Sequence, residues 1–146
     1  MVTEVNTSIE VNKTTNRRFY EEVINQKKVA VVDEIAAANY TNHGLPAGLP
    51  AGRDGLKAFV STFHTAFSDG HCTIDQMIAE ANTVATRLTF YGTHTGSFQG
   101  IAPTGKRVVM PALDMARYEG GKLVEHWGGP DQMSLLQQIG ALSPRG

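Results

Sequence analysis

Residues 107–127 read RVVMPALDMARYEGGKLVEHW, and this stretch decides the fold. It is rich in apolar side chains, with a period near two that is typical of strands. The pair Gly120-Gly121 tolerates the positive φ angles of a two-residue hairpin turn. The stretch therefore predicts two antiparallel strands, residues 107–119 and 122–127, joined by a tight turn.

The sequence before this hairpin predicts two more strands. Residues 71–80 form the first of these, Ala81-Asn82 a turn, and residues 83–95 a longer strand. Side chains two apart in a strand share a face. The residues expected on one face of the longer strand are Leu88, Phe90, Gly92 and His94.

The first third of the chain has helical periodicity instead. Apolar residues recurring every three to four positions indicate helices at about residues 8–25, 28–37 and 56–67, and a final helix after Asp131. The residues that define the first stripe are Val11, Thr15, Phe19 and Val23. Those that define the third helix are Leu56, Phe59, Val60, Phe63 and Phe67.

Helices followed by antiparallel strands indicate an α+β fold, with the whole chain, residues 1–146, in one domain. A twisted sheet of about four to five strands cannot bury one face unaided. We therefore expect the three N-terminal helices to pack on its concave side. The interior of such a cone is the natural place for a small-molecule site.

Composition excludes several other classes of function. A net charge of -1 gives no basic surface for nucleic acid, and no apolar run is long enough to span a membrane. The five histidines are scattered without metal-ligand spacing, and no phosphate-binding glycine loop opens a helix. We therefore expect no metal or other cofactor. One cysteine and an acidic, polar N-terminus favour a cytoplasmic protein.

Asp114 is the first candidate for chemistry. It lies in the middle of an apolar strand, on the face of Met110 and Ala112. A carboxyl group in apolar surroundings must be paired, hydrogen-bonded or protonated, and such surroundings suit a general acid or base. The alternative is an outward-facing residue paired with Arg87 or Arg117.

Three further polar positions have both a structural and a functional interpretation. Asp131 follows Gly-Gly-Pro and precedes a helix, so it is either an N-cap or a carboxylate turned into the cone mouth. His43 precedes an apolar loop and is either structural or a proton relay. His126 and Trp127 are adjacent on a strand, so only one of them is expected to line the pocket.

Several motifs resemble the SnoaL-like polyketide cyclases, over about residues 11–142. The motifs that carry the resemblance are RRFYEEV at 17–23, YTNH at 40–43, GRDG at 52–55, GTHTGSF at 92–98, PTG at 103–105 and GKLVEHWG at 121–128 with Asp131. The resemblance implies an NTF2-like cone, and an assembly that is a homodimer or homotetramer. It also implies a cofactor-free intramolecular aldol condensation.

In that family an aspartate removes an acidic methylene proton and later protonates the new alkoxide. The resemblance assigns this role to Asp131 and a supporting role to His43. From its place in an apolar strand, we expect Asp114 to be a second, protonated carboxyl group. Ala116 departs from the polar residue expected there. The side chains expected around the hydrophobic substrate are Phe19, Phe63, Phe90, Met110, His126 and Trp127.

The expected function is therefore an acid–base enzyme that closes a ring in a polyketide-like or polycyclic carbonyl compound. Two other functions remain open for this fold. An epoxide hydrolase or isomerase would need Asp114 and Asp131 to share the pocket with a donor to the epoxide oxygen. A non-catalytic protein that binds small molecules would use the same cone.

Overall fold

The computed structural model describes residues 2–142, and the side chains of residues 8–142. Four α-helices and five strands follow one another in the order helix, helix, strand, helix, four strands, helix. Their bounds are α1 (Val2–Arg18), α2 (Val32–Ile35), β1 (Ala36–Asn42), α3 (Gly52–Ala66), β2 (His71–Glu80), β3 (Thr83–Thr93), β4 (Arg107–Glu119), β5 (Lys122–Pro130) and α4 (Gln132–Gln138). A π-helical segment, Phe19–Asn25, continues α1, and a 3₁₀ turn, Val29–Val31, precedes α2.

The predicted hairpin is the centre of a five-stranded sheet with the strand order β1-β5-β4-β3-β2. Glu119 pairs with Lys122 across the two-glycine turn, in which Gly120 and Gly121 have φ angles of 56° and 76°. Strands β2 to β5 are antiparallel neighbours, as the sequence predicts. This confirms an α+β cone with its helices on one side of a curved sheet.

Strand β1 was not predicted, and it pairs parallel with β5. The sequence of Ala36–Asn42 is AAANYTN, in which three alanines are compatible with the predicted helix of residues 28–37. The helix instead ends at Ile35, because the chain gains backbone hydrogen bonds at the free edge of β5. Edge pairing of this kind is tertiary and leaves no periodic signal.

The first helix faces the core with different residues from those predicted. Val11 is 45% exposed, and Thr15 only partly buried, whereas Asn12 and Asn16 are buried. The stripe prediction was wrong here because Asn16 is hydrogen-bonded inside the protein, which removes the cost of burying an amide. Val23, the last residue of the predicted stripe, is fully buried as expected.

Alternation along β4 separates the two faces of the sheet. Met110 and Ala116 are buried on the concave face with Asp114, while Leu113 is 70% exposed on the convex face. The same alternation on β3 buries the four residues expected to share a face. The core lies between this concave face and the helices. Within residues 2–142, none of the helices combines the length and apolar character needed to span a bilayer.

Candidate active site

A cavity lies between the helices and the concave face of the sheet. Most of its wall is aliphatic or aromatic, and its polar groups cluster around Asp114. The predicted wall residues that line it are Phe19, Phe63, Phe90, Met110 and His126. Trp127 is 36% exposed on the opposite face, so of the adjacent pair only His126 lines the cavity, in agreement with strand alternation.

Asp114 provides the carboxyl group of the cavity. Its side chain is 9% exposed, and its Oδ2 accepts a hydrogen bond of 2.6 Å from the Tyr20 hydroxyl. Oδ1 has no hydrogen-bond partner among the described residues and lies 3.6 Å from Nε2 of His126. Because Oδ2 already accepts the hydrogen bond from Tyr20, Oδ1 is the oxygen that can take or give a proton.

The strand and the π-helical segment together bring these groups into contact. Alternation points Asp114 inward, and Gly128, which pairs with it on β5, leaves no side chain above it. The wider turn of the π-helical segment Phe19–Asn25 carries Tyr20 onto the carboxylate. Such segments are rare and often occur at functional sites. The alternative pairing of Asp114 with an arginine is wrong, since Arg87 and Arg117 bind other carboxylates.

A buried hydrogen-bonded network of Tyr118, Asn16 and Thr86 lies next to Tyr20. The Tyr118 hydroxyl donates to Oδ1 of Asn16 at 2.8 Å, and Nδ2 of Asn16 donates to the Thr86 hydroxyl at 2.7 Å. Thr86 also acts on the Tyr20 hydroxyl as a hydrogen-bond partner that lowers the pKa of Tyr20, against the larger effects that raise it. Thr86 pairs with Asp114 across β3 and β4. This buried network holds the carboxylate in one orientation.

Burial controls the ionisation of the groups around Asp114. It raises the pKa of Tyr20, Tyr40 and Tyr118, and the negative charge of Asp114 adds to this for all three. Burial also raises the pKa of the Cys72 thiol to about 12, again with a contribution from Asp114. These four groups are therefore neutral at physiological pH, where they act through hydrogen bonds and contacts.

We expect the Cys72 thiol to resist alkylation in the folded protein. At pH 8.5 a thiol with a pKa of about 12 is thiolate in only about one molecule in several thousand, whereas an exposed cysteine is about half ionised. Iodoacetamide, followed by mass spectrometry, should label the folded protein about a thousandfold more slowly than the urea-unfolded protein. Comparable rates in the two states would contradict this environment for Cys72.

His43 lies outside the cavity. Its Nε2 is 2.7 Å from Oε2 of Glu125, and its ring stacks on Trp127 with centroids 5.2 Å apart. The neighbouring residues Asn42 and Gly44 do line the cavity. The structure therefore brings His43 close to the cavity mouth but does not join it to Asp114.

Asp131 also lies apart from the cavity. It is exposed, and its Oδ1 accepts a hydrogen bond of 3.0 Å from the Ser134 backbone N–H at the start of α4. This is the geometry of an N-cap. Pro130, immediately before it, lines the cavity, but Asp131 does not.

Several cavity residues were not singled out from the sequence. The polar ones are Asn16, Tyr20, Tyr40, Asn42 and Tyr118. Tyr40 and Asn42 belong to the YTNH motif, in which only the histidine attracted a functional interpretation. Their spacing of two was the available signal, since two residues apart on a strand share a face.

Among the side chains of residues 8–142, no group of three or more His, Cys, Asp or Glu is arranged to hold a metal ion. The described cavity presents a carboxyl group, an imidazole and neutral phenols inside an apolar wall. Such groups perform proton transfer, with the substrate held by apolar contacts. The fold and the site together place the protein in the class of α+β cones whose apolar cavity holds groups suited to proton transfer.

Comparison with known proteins agrees with this class. The sequence profile of the SnoaL-like polyketide cyclases matches residues 14–139, and the chain therefore belongs to that family. It is 28% identical over 123 residues to aklanonic acid methyl ester cyclase DnrD of Streptomyces peucetius, covering 82% of this chain and 84% of that protein. Family membership and named cyclase relatives confirm the prediction of a polyketide-cyclase-like enzyme.

Solved structures extend the similarity to the fold. A Bacillus cereus protein assigned as a polyketide cyclase superposes with a TM-score of 0.78 at 29% identity, over 88% of this chain and 80% of its own. TsrD of Streptomyces laurentii superposes with a TM-score of 0.82 at 23% identity, over 91% and 97% of the two chains. The second comparison shows a shared fold.

Proposed function

We propose that this enzyme closes a ring in a polyketide-like carbonyl compound by intramolecular aldol condensation, with Asp114 as its general base and acid. The observation that carries the proposal is the Asp114 carboxyl group, which lines the cavity, is held by Tyr20 through Oδ2 and has no hydrogen-bond partner at Oδ1 among the described residues. We prefer Asp114 to Asp131 for this role because a base must reach the proton that it removes.

The reaction begins when Oδ1 of Asp114 removes a proton from a carbon next to a carbonyl group. The C–H electron pair forms the enolate, whose carbon attacks a second carbonyl carbon of the same molecule. A carbon–carbon bond forms, and the second carbonyl oxygen becomes an alkoxide. The protonated Asp114 returns its proton to this alkoxide, so the product is an isomer of the substrate and the carboxylate is restored.

The remaining cavity groups bind and orient the substrate. Aromatic and aliphatic side chains, among them Phe63, Phe90 and Met110, give a planar polycyclic molecule an apolar surface to pack against. His126 lines the cavity next to Asp114, with its Nε2 3.6 Å from Oδ1 of that residue. Its imidazole can therefore donate to or accept from a substrate oxygen.

Epoxide hydrolysis is less well supported than ring closure. That reaction was expected to need two carboxyl groups in one pocket. Of the described residues that line the cavity, Asp114 alone carries a carboxyl group. A purely binding role does not explain why an acidic group is buried in a cavity whose wall is mostly apolar.

Aklanonic acid methyl ester, the compound named for the curated relatives, is the first substrate to test. We expect the protein to convert it to a cyclised isomer of unchanged mass, resolved by chromatography. In D₂O, the α position of remaining substrate or product should gain deuterium. If no polyketide of this class is cyclised or exchanges its α proton, the acid–base proposal fails.

We further propose that a second copy of the chain covers the convex face of the sheet. Val109, Leu113 and Met115 are 54%, 70% and 48% exposed there, and none of the three belongs to a hydrophobic core cluster of the described residues. An apolar surface of this kind on a sheet is typical of an interface. The closed assembly that family resemblance implies would bury it.

Leu113→Glu should therefore dissociate the assembly, because it places a charge at the centre of that face. Light scattering at micromolar concentration should show a dimer or larger for the unaltered protein and a monomer for the variant. Ser61→Glu, at an exposed site on α3, is the matched control and should leave the mass unchanged. An unaltered protein that is monomeric would contradict the proposal.

A further inference from the structure

Tyr40 is buried in β1, 3% exposed, and lines the same cavity as Asp114. Its oxygen accepts a hydrogen bond of 2.6 Å from Nδ2 of Asn42. The orientation of this amide is determined, because Oδ1 of Asn42 accepts a hydrogen bond of 2.7 Å from the backbone N–H of Gly44. Asn42 therefore presents its N–H₂ group to Tyr40 and can only donate to it.

The hydroxyl proton of Tyr40 is thus left without an acceptor among the described residues. The other two buried phenols of the cavity differ in this respect. Tyr20 donates its proton to Asp114, and Tyr118 donates its proton to Asn16. Of the three, Tyr40 alone has a proton available for a molecule in the cavity.

The electrostatic surroundings keep that proton in place. Burial raises the pKa of Tyr40 above its ordinary value, the Asn42 hydrogen bond opposes this, and the charge of Asp114 raises it again. Tyr40 and Asp114 line the same cavity. A neutral phenol beside a base is suited to donate a hydrogen bond to the oxygen on which charge develops.

We propose that Tyr40 is a further catalytic residue, whose hydroxyl donates a hydrogen bond to the substrate carbonyl oxygen that becomes the enolate oxygen. This inference rests on the proposed function and adds the group that stabilises its intermediate. As Asp114 takes the α proton, the carbonyl π electrons move onto oxygen, and the Tyr40 hydrogen bond strengthens there. The Tyr40 proton is not transferred, so the overall proton balance is unchanged.

The test uses 2-naphthol, whose anion imitates an enolate oxygen on a planar ring system. Binding is measured in the Asp114→Asn protein, which carries a neutral group as the enzyme does after proton abstraction. Fluorescence titration at several pH values gives separate affinities for naphthol and naphtholate. Adding Tyr40→Phe should weaken naphtholate binding about 10- to 100-fold, the effect of losing a hydrogen bond to a charged group, with a much smaller effect on naphthol.

Two further variants make the test specific. Tyr91→Phe in the same background makes the same chemical change at a tyrosine that stacks on His71 and does not line the cavity, and it should leave naphtholate affinity within about threefold. Asn42→Ala keeps the Tyr40 hydroxyl but removes the hydrogen bond that its oxygen accepts. This variant should weaken naphtholate binding by less than Tyr40→Phe does. Equal naphtholate affinity with and without the Tyr40 hydroxyl, in folded proteins, would overturn the inference.

Failure of this inference is distinguishable from failure of the proposed function. If Tyr40→Phe weakens naphtholate binding while Asp114→Asn retains turnover, Tyr40 is an anion donor and the assigned base is wrong. If Asp114→Asn abolishes turnover while Tyr40→Phe changes neither kcat nor naphtholate affinity, the base is supported and the donor is not. If Asp114 is the base and Tyr40 is the hydrogen-bond donor, Tyr40→Phe should lower kcat with little change in KM.

Discussion

Asp114→Asn is expected to lower turnover by about two to four orders of magnitude, the range typical of losing a general acid or base. The amide is nearly isosteric with the carboxyl group and can still accept the Tyr20 hydrogen bond through its oxygen. The fold and the affinity for an apolar ligand should therefore be close to unchanged. Steady-state kinetics, thermal unfolding and ligand titration measure the three properties separately.

Asp131→Asn is the matched control, since it makes the same chemical change at the other aspartate considered for this role. Its amide oxygen can still accept from the Ser134 backbone N–H, so the cap on α4 should persist. We expect full turnover from this variant. The reverse result, a fully active Asp114→Asn and an inactive Asp131→Asn, would return the catalytic role to the residue that family resemblance favours.

The central hairpin and the strand face shared by Asp114 and Met110 were predictable because they depend on local chemistry, whereas an outward-facing Asp114 remained an open alternative. Two glycines set the turn, and a period of two sets which side chains face inward. On this basis Asp114 was expected on the face of Met110, where it lies. The third helix was predictable for a similar reason, because its apolar stripe repeats over more than three turns.

The surroundings of Asp114 were less accessible to sequence reasoning. Asn16 reaches the cavity from α1, and Tyr20 reaches it from the π-helical segment that continues α1. Apolar periodicity in the sequence does not predict such a segment. Sequence patterns treat a buried asparagine as a solvent-facing residue, and only its partners in β3 and β4 make burial favourable. The polar network is therefore a property of the tertiary structure.

In the YTNH motif, neighbouring residues lie on opposite sides of the sheet, and this decides which of them can contact a ligand in the cavity. Tyr40 and Asn42 point into the cavity, whereas His43 lies on Trp127 outside it. In an extended chain a shift of one residue moves a side chain to the other face. Histidine attracted attention for its chemistry, but strand β1, which determines the faces here, was not predicted.

The largest stability effect is expected from Phe67→Ala. Phe67 is fully buried after α3, and its ring contacts those of Phe63, Phe90 and Phe98 at centroid distances of 5.5–6.0 Å. Gly92 lies against it so closely that a Cβ there would be 3.0 Å from the Cβ of Phe67. Removing the ring should lower the free energy of unfolding by about 3–5 kcal/mol, from lost burial and the cavity left behind.

Urea unfolding of Phe67→Ala, Phe67→Leu and Ile78→Ala would measure this effect. Leucine restores most of the volume and should cost less, and Ile78 is 62% exposed, so its loss should change stability by about 0.5 kcal/mol or less. Phe67 does not line the active-site cavity, but it supports Phe63 and Phe90, which do. We therefore expect Phe67→Ala also to weaken binding of apolar ligands. A loss below about 1 kcal/mol with unchanged ligand binding would mean that the wall of the cavity holds its shape without this ring.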